Sequence, residues 1–117
     1  MSIDFGIQIE PQLGFDYESV EKIAMEAEKA DYNSIWSSDH FFLDDKSEDR
    51  NCMEVWTLLA ALAVRTEKIR LGSLVTCNSY RYPAVLAKIA ATVDVISNGR
   101  LFFGFGAGWK EIEYKAY

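Results

Sequence analysis

Two hydrophobic rhythms alternate along this chain. Ile3 to Ile9 is a short run rich in Ile and Phe and predicts a strand. Tyr17 to Asp31 follows, with Val20, Ile23, Ala24 and Ala27 at helical spacing, and Asp16 stands where a cap would accept from the first turn. Ser34 to Ser37 is a second short strand, ending at Ser38-Asp39-His40. The stretch from Phe41 to Asn51 is polar and acidic and reads as a loop. Within it, Asp44-Asp45-Lys46-Ser47-Glu48-Asp49 is either a solvated run or part of a mobile lid. Met53 to Arg65 is a second helix, burying Val55, Leu58, Leu59 and Leu62. Ile69 to Thr76 is a nearly all-apolar third strand. Pro83 opens a third helix carrying Leu86, Ile89, Ala90 and Val93, and Asn98-Gly99 stops it. Leu101 to Phe105 is a fourth strand, and Gly106-Ala107-Gly108 turns toward a further helix.

Strand, helix, strand, helix with short connections predicts parallel strands joined by crossovers. The strands are apolar on both faces, as buried parallel strands are. The fold class is therefore α/β, with parallel βα units. An open doubly wound sheet and a barrel both fit the pattern. Four units of about 30 residues make half of an eight-stranded barrel, whose usual length is about 250 residues. Residues 1–117 read as one domain of about four such units.

Composition narrows the partners. Half of the 117 residues are hydrophobic, which favours a packed core over disorder. A net charge of -6 repels phosphate backbones and argues against nucleic acid. No apolar run is long enough for a membrane span, and the start lacks the pattern of a signal peptide. A cytoplasmic location is the expectation. Cys52 and Cys77 have no metal-site or redox-motif spacing, and His40 is the single histidine, so no metal site is expected.

In either architecture ligands sit at the carboxyl ends of the strands. The residues there are Glu10 and Gln12, then Ser38, Asp39 and His40, then Thr76, Cys77 and Asn78, then Gly106, Gly108, Trp109 and Glu111. This set holds a histidine beside a carboxylate, an amide, a hydroxyl and a glycine turn. Phe41, Phe42, Tyr80 and Trp109 can wall a flat ring. Each has a plainer reading too. His40 is either an acid/base or a structural hydrogen-bonder, and Asp39 is either a ligand contact or a loop cap. Thr76 and Asn78 can serve strand-end backbone groups. Gly104, Gly106 and Gly108 lack the full spacing of a dinucleotide fingerprint, so a tight βα turn is the preferred reading.

Several stretches together resemble the bacterial luciferase-like superfamily. They are Trp36-Ser37-Ser38-Asp39-His40-Phe41, Leu71 to Asn78, Tyr80 to Lys88, Ser97 to Leu101, and Gly104 to Trp109 followed by Glu111, Glu113 and Tyr114. The likeness is strongest to the F420-dependent oxidoreductase branch and runs along the chain in family order. It implies the N-terminal half of a TIM (β/α)8 barrel, with the deazaflavin coenzyme F420 at the carboxyl ends of its strands; FMN is the alternative cofactor. It implies hydride transfer with a small-molecule organic substrate. The FMN alternative is a monooxygenase. A third alternative is a truncated, non-catalytic half-barrel that self-associates. By resemblance His40 is the catalytic candidate, and Asp39, Ser73, Leu74, Thr76, Asn78, Gly106, Ala107 and Gly108 are the cofactor-binding candidates. The resemblance also implies a non-proline cis peptide in strand three, falling between Ser73 and Leu74. Trp109 stands where F420-dependent sugar-phosphate dehydrogenases carry a glutamate, which argues against a sugar-phosphate substrate. A homo-oligomer, or the remainder of the barrel, is the expected partner.

Overall fold

The computed structural model describes residues 3–44, 46 and 49–117. Four parallel strands form the main sheet: β1 (Gly6–Ile9), β2 (Ser34–Ser37), β3 (Arg70–Ser73) and β5 (Leu101–Phe102), in the spatial order β1-β2-β3-β5. Beyond β3 and β5 the chain re-forms a second parallel pair, β4 (Thr76–Cys77) with β6 (Phe105–Gly106). Helices α1 (Tyr17–Lys29), α2 (Val55–Arg65) and α3 (Pro83–Ile96) are the crossovers, and α4 (Glu111–Ala116) follows β6. This is the α/β class read from the sequence, with its strands running parallel.

The helix limits follow local chemistry. Asp16 accepts from the Ser19 amide at 2.8 Å and caps α1 as expected. The second helix begins at Val55 rather than Met53, because Glu54 stays extended and accepts from the Thr57 amide at 2.7 Å as its cap. Helix α1 ends at Lys29, two residues short of the expected Asp31, which adopts a φ of 58°. At the end of α3, Asn98 and Gly99 take φ of 58° and 79°, the left-handed pair that stops a helix. Val20, Ala24, Ile35, Leu59, Leu62, Leu71 and Val93 are buried together between the sheet and the helices.

Two strand readings are corrected. The apolar run from Ile69 to Thr76 is two strands, with Leu74 and Val75 outside both, and the run from Leu101 to Phe105 is broken at Phe103-Gly104. The breaks match: Thr76 donates to the Gly104 carbonyl at 2.9 Å, and Ser73 Oγ donates to the same carbonyl at 3.0 Å. The non-proline cis peptide lies one bond later than expected, between Leu74 and Val75 rather than Ser73 and Leu74. The reason is register. Ser73 still pairs with Ser37, and the Leu74 amide still donates to the Ser37 carbonyl at 2.8 Å, so the Ser73–Leu74 bond belongs to the regular ladder.

Within the acidic loop, Asp44, Lys46 and Asp49 are exposed. Asp45, Ser47 and Glu48 lie outside the described residues. Among the described residues no helix is long and apolar enough to cross a membrane.

Candidate functional site

The carboxyl ends of β2 and β4 and the segment after β6 converge on a cavity of about 200 Å³. It is lined by Ser38, Asp39, His40, Leu74, Val75, Cys77, Tyr80, Gly108 and Trp109. Of the catalytic and cofactor-binding candidates, His40, Asp39, Leu74 and Gly108 meet here, together with the strand-end residues Ser38 and Cys77 and the aromatics Tyr80 and Trp109. Leu74 and Val75 are exposed at the break in the third strand and give the cavity an apolar floor. Trp109 meets the His40 ring edge-on, with centroids 5.7 Å apart.

The other candidates lie nearby without lining it. Ser73 and Thr76 are fully buried, their hydroxyls 2.5 Å apart, and join β3, β4 and the Gly104 backbone. Gly106 lets β6 pass Val75: a Cβ there would come within 2.6 Å of Val75 Cγ2. Gly108 has a φ of 79°, and a Cβ on it would overlap Tyr114 Oη and Cys77 Sγ. The Ala107 carbonyl accepts from Tyr114 Oη at 3.0 Å. Asn78 is exposed, accepts from Ser79 Oγ at 2.8 Å, and lines a separate apolar cavity with Phe103 and Phe105. Gln12 is buried and accepts from Ser38 Oγ at 2.8 Å, tying the end of β1 to that of β2. Tyr80 and Trp109 line the cavity as aromatic walls; Phe41 packs instead on Tyr80 and Tyr117, and Phe42 faces Tyr117 and Lys110.

Two polar clusters hold the Asp39-His40 pair. Asp39 receives a bidentate contact from Arg81, at 2.7 and 2.8 Å, and a third bond from the Cys77 amide at 2.9 Å. Arg81 also pairs with Glu54, the cap of α2. Burial pulls the Arg81 guanidinium toward neutrality, but the hydrogen bonds to Asp39 and Glu54 outweigh it and hold the cation. Asp39 thus accepts three bonds from protein groups while still lining the cavity, and its partners lie on the segment from β4 to α3 and not in the loop that follows it.

The second cluster centres on Glu113 of α4, whose side chain is wholly buried. Its Oε2 contacts His40 Nδ1 at 2.9 Å and accepts from Tyr80 Oη at 2.5 Å. Its Oε1 accepts from the amides of Phe41 at 2.7 Å and Phe42 at 3.4 Å. Burial alone would raise the Glu113 pKa, but the bonds from Tyr80, His40 and Phe41 together hold it below the usual glutamate value. The Tyr80 hydroxyl is pushed up by burial and by its bond to that carboxylate. Nδ1 of His40 is taken by Glu113. Nε2 has no protein hydrogen bond among the described residues.

Sequence reading gave no role to Arg81, Glu54 or Val75, and did not pair Glu113 with His40. Glu111 and Glu113 enter the sequence reading only as part of the family resemblance, and nothing in the spacing of Lys110-Glu111-Ile112-Glu113 marks one glutamate as buried. The adjacency of Asp39 and Arg81 arises only from the crossover between β2 and β4.

The family model for luciferase-like monooxygenases matches residues 2–117. An F420-dependent glucose-6-phosphate dehydrogenase of Amycolatopsis mediterranei is 35% identical over 95 residues, which are 80% of this chain and 28% of that protein. The structure of coenzyme F420-dependent tetrahydromethanopterin reductase from Methanopyrus kandleri superposes with a TM-score of 0.81 at 28% identity, covering 99% of this chain and 30% of that one. The oxygenating constituent of the 3,6-diketocamphane monooxygenase of Pseudomonas putida, in complex with FMN, superposes with a TM-score of 0.84 at 24% identity, covering 99% of this chain and 33% of its own, a likeness of fold alone. This chain therefore spans about a third or less of the length of these proteins. A rim built by β2, β4 and β6 and a match along nearly every residue lead to one conclusion: the chain belongs to the luciferase-like monooxygenase family.

Proposed function

We propose that this chain forms the ring-binding end of an oxidoreductase that moves a hydride between an organic substrate and coenzyme F420. The observation that carries the reading is His40, held by Glu113 at a cavity with an apolar floor of Leu74 and Val75. Those residues would suit a flat ring: Leu74 and Val75 would offer it apolar contact, Trp109 an aromatic wall, and His40 a nitrogen able to exchange a proton. The F420 named for two of the similar proteins supports this cofactor over FMN. When bound, the deazaflavin supplies the carbon that accepts or returns the hydride.

The chain's own residues do the rest. His40 Nε2 takes the hydroxyl proton as the substrate's C–H electron pair departs, and returns it in the reverse direction. Asp39, clamped by Arg81, fixes the backbone on which His40 stands. Leu74, Val75 and Trp109 exclude water from the reacting edge.

The test is a titration of the protein with oxidised F420 and, separately, with FMN, followed by absorbance. Tighter binding of F420 is expected, and tighter binding of FMN would overturn the cofactor assignment. His40→Ala is expected to leave F420 affinity within a few fold while lowering turnover by about 10²–10⁴. Unchanged turnover would remove His40 from the chemistry.

A further inference from the structure

Glu113 is bonded at both oxygens, and each bond constrains what its neighbours are. Oε1 faces two backbone amides, Phe41 and Phe42, which can only donate. Oε2 faces Tyr80 Oη and His40 Nδ1. A buried carboxylate with this many donors is ionised, and an ionised carboxylate has no proton to give. The contact to His40 can then form only if Nδ1 carries the hydrogen. In the neutral ring that leaves the lone pair on Nε2.

We propose that Glu113 is a positioning residue that locks the neutral His40 ring in its Nδ1–H tautomer, so that Nε2 is the atom that accepts the proton. The assignment deepens the reading of His40 as the acid/base and rests on it for its catalytic meaning. Tyr80 completes the device by filling the same oxygen of Glu113 from its other side. The two amides also fix which end of a substituted side chain must be oxygen. In Glu113→Gln the Oε1 stays on Phe41 and Phe42, so the amide NH₂ is turned toward Nδ1. An NH₂ group only donates, so Nδ1 must then accept and the hydrogen moves to Nε2. The variant is nearly isosteric, yet it inverts the ring.

His40 is the only histidine in the chain, so ¹⁵N-histidine labelling gives one pair of ring resonances. At alkaline pH the unsubstituted chain is expected to show a protonated, pyrrole-like Nδ1 and an unprotonated, pyridine-like Nε2. E113Q, checked for folding by circular dichroism, is expected to show the two exchanged, and Glu113→Asp to keep the original pattern. A pyridine-like Nδ1 in the unsubstituted chain overturns the proposal, and so does a folded E113Q with an unmoved spectrum. Should E113Q fail to fold, the unsubstituted spectrum decides alone. The readout needs neither cofactor nor turnover. Failed F420 binding beside the expected spectra therefore removes the oxidoreductase reading and leaves the tautomer assignment standing.

Discussion

A single carboxylate carries much of the acid sensitivity expected of this protein. Glu113 is wholly buried and held below the ordinary glutamate value of 4.5, because Tyr80, His40 and Phe41 all bond its charged form. A group whose pKa is lower folded than unfolded stabilises the fold fully above the unfolded value. It loses that contribution as pH falls through the folded value. Glu54 is shifted the same way by its bonds from Thr57 and Arg81 and acts over the same range. Unfolding by urea should therefore show a constant midpoint above about pH 5, then a decline below pH 4.5. In E113Q the decline should be shallower, since the Glu54 part and the contributions of the more exposed Asp16, Glu26 and Glu28 remain. An equally steep fall in the folded variant would show that Glu113 is not the group titrating.

At the level of elements, the rim is a joint between three of them. Arg81 lies in the connection from β4 to α3, Asp39 at the end of β2, and Glu54 at the start of α2. The Asp39 carboxylate is 1% exposed, so removing its partner leaves a charge in a site with little water. Arg81→Met is expected to cost about 3–5 kcal/mol, the usual penalty for orphaning a buried ion. Equilibrium unfolding measures it, and a loss under 1 kcal/mol would mean that water or another cation replaces the guanidinium. This joint also marks how far the sequence could be read. Ser34–Ser37, the start of α3 at Pro83 and its stop at Asn98-Gly99 were legible because each has local chemistry: a short apolar run, a fixed φ, a residue tolerant of positive φ. The meeting of His40, Thr76 and Gly106 at one end of the strands was legible from topology, since parallel crossovers put every strand end on one rim. The break after Ser73 was not. Leu74 and Val75 sit inside a nearly all-apolar run, and only pairing with the Gly104 segment shows where the ladder stops. The partner of His40 was hidden for a similar reason, since burial of Glu113 depends on contacts made across the fold and not on its neighbours in sequence.

For the molecule as a whole, the four-stranded sheet ends in β1 on one side and β5 on the other. Each pairs with one neighbour only among the described residues, so its outer edge presents free amides and carbonyls. In a closed eight-stranded barrel such edges are joined and the inner face is packed. Here Phe5, Leu74, Val75, Phe103, Phe105 and Trp109 are exposed instead, Phe105 by 57% and Trp109 by 77%. Open strand edges together with exposed aromatic surface favour association over a solvated monomer. We propose that this chain, made alone, pairs through those edges with further copies of itself, whereas longer chains of the family have additional length with which to cover them. Sedimentation velocity at micromolar concentration is expected to show dimers or larger species. Phe105→Lys, which places a charge on β6 at a position that does not line the rim cavity, should shift the distribution toward the monomer. A sharp monomer boundary for the unsubstituted chain would mean that water satisfies the edges of a single copy, and would overturn the proposed pairing.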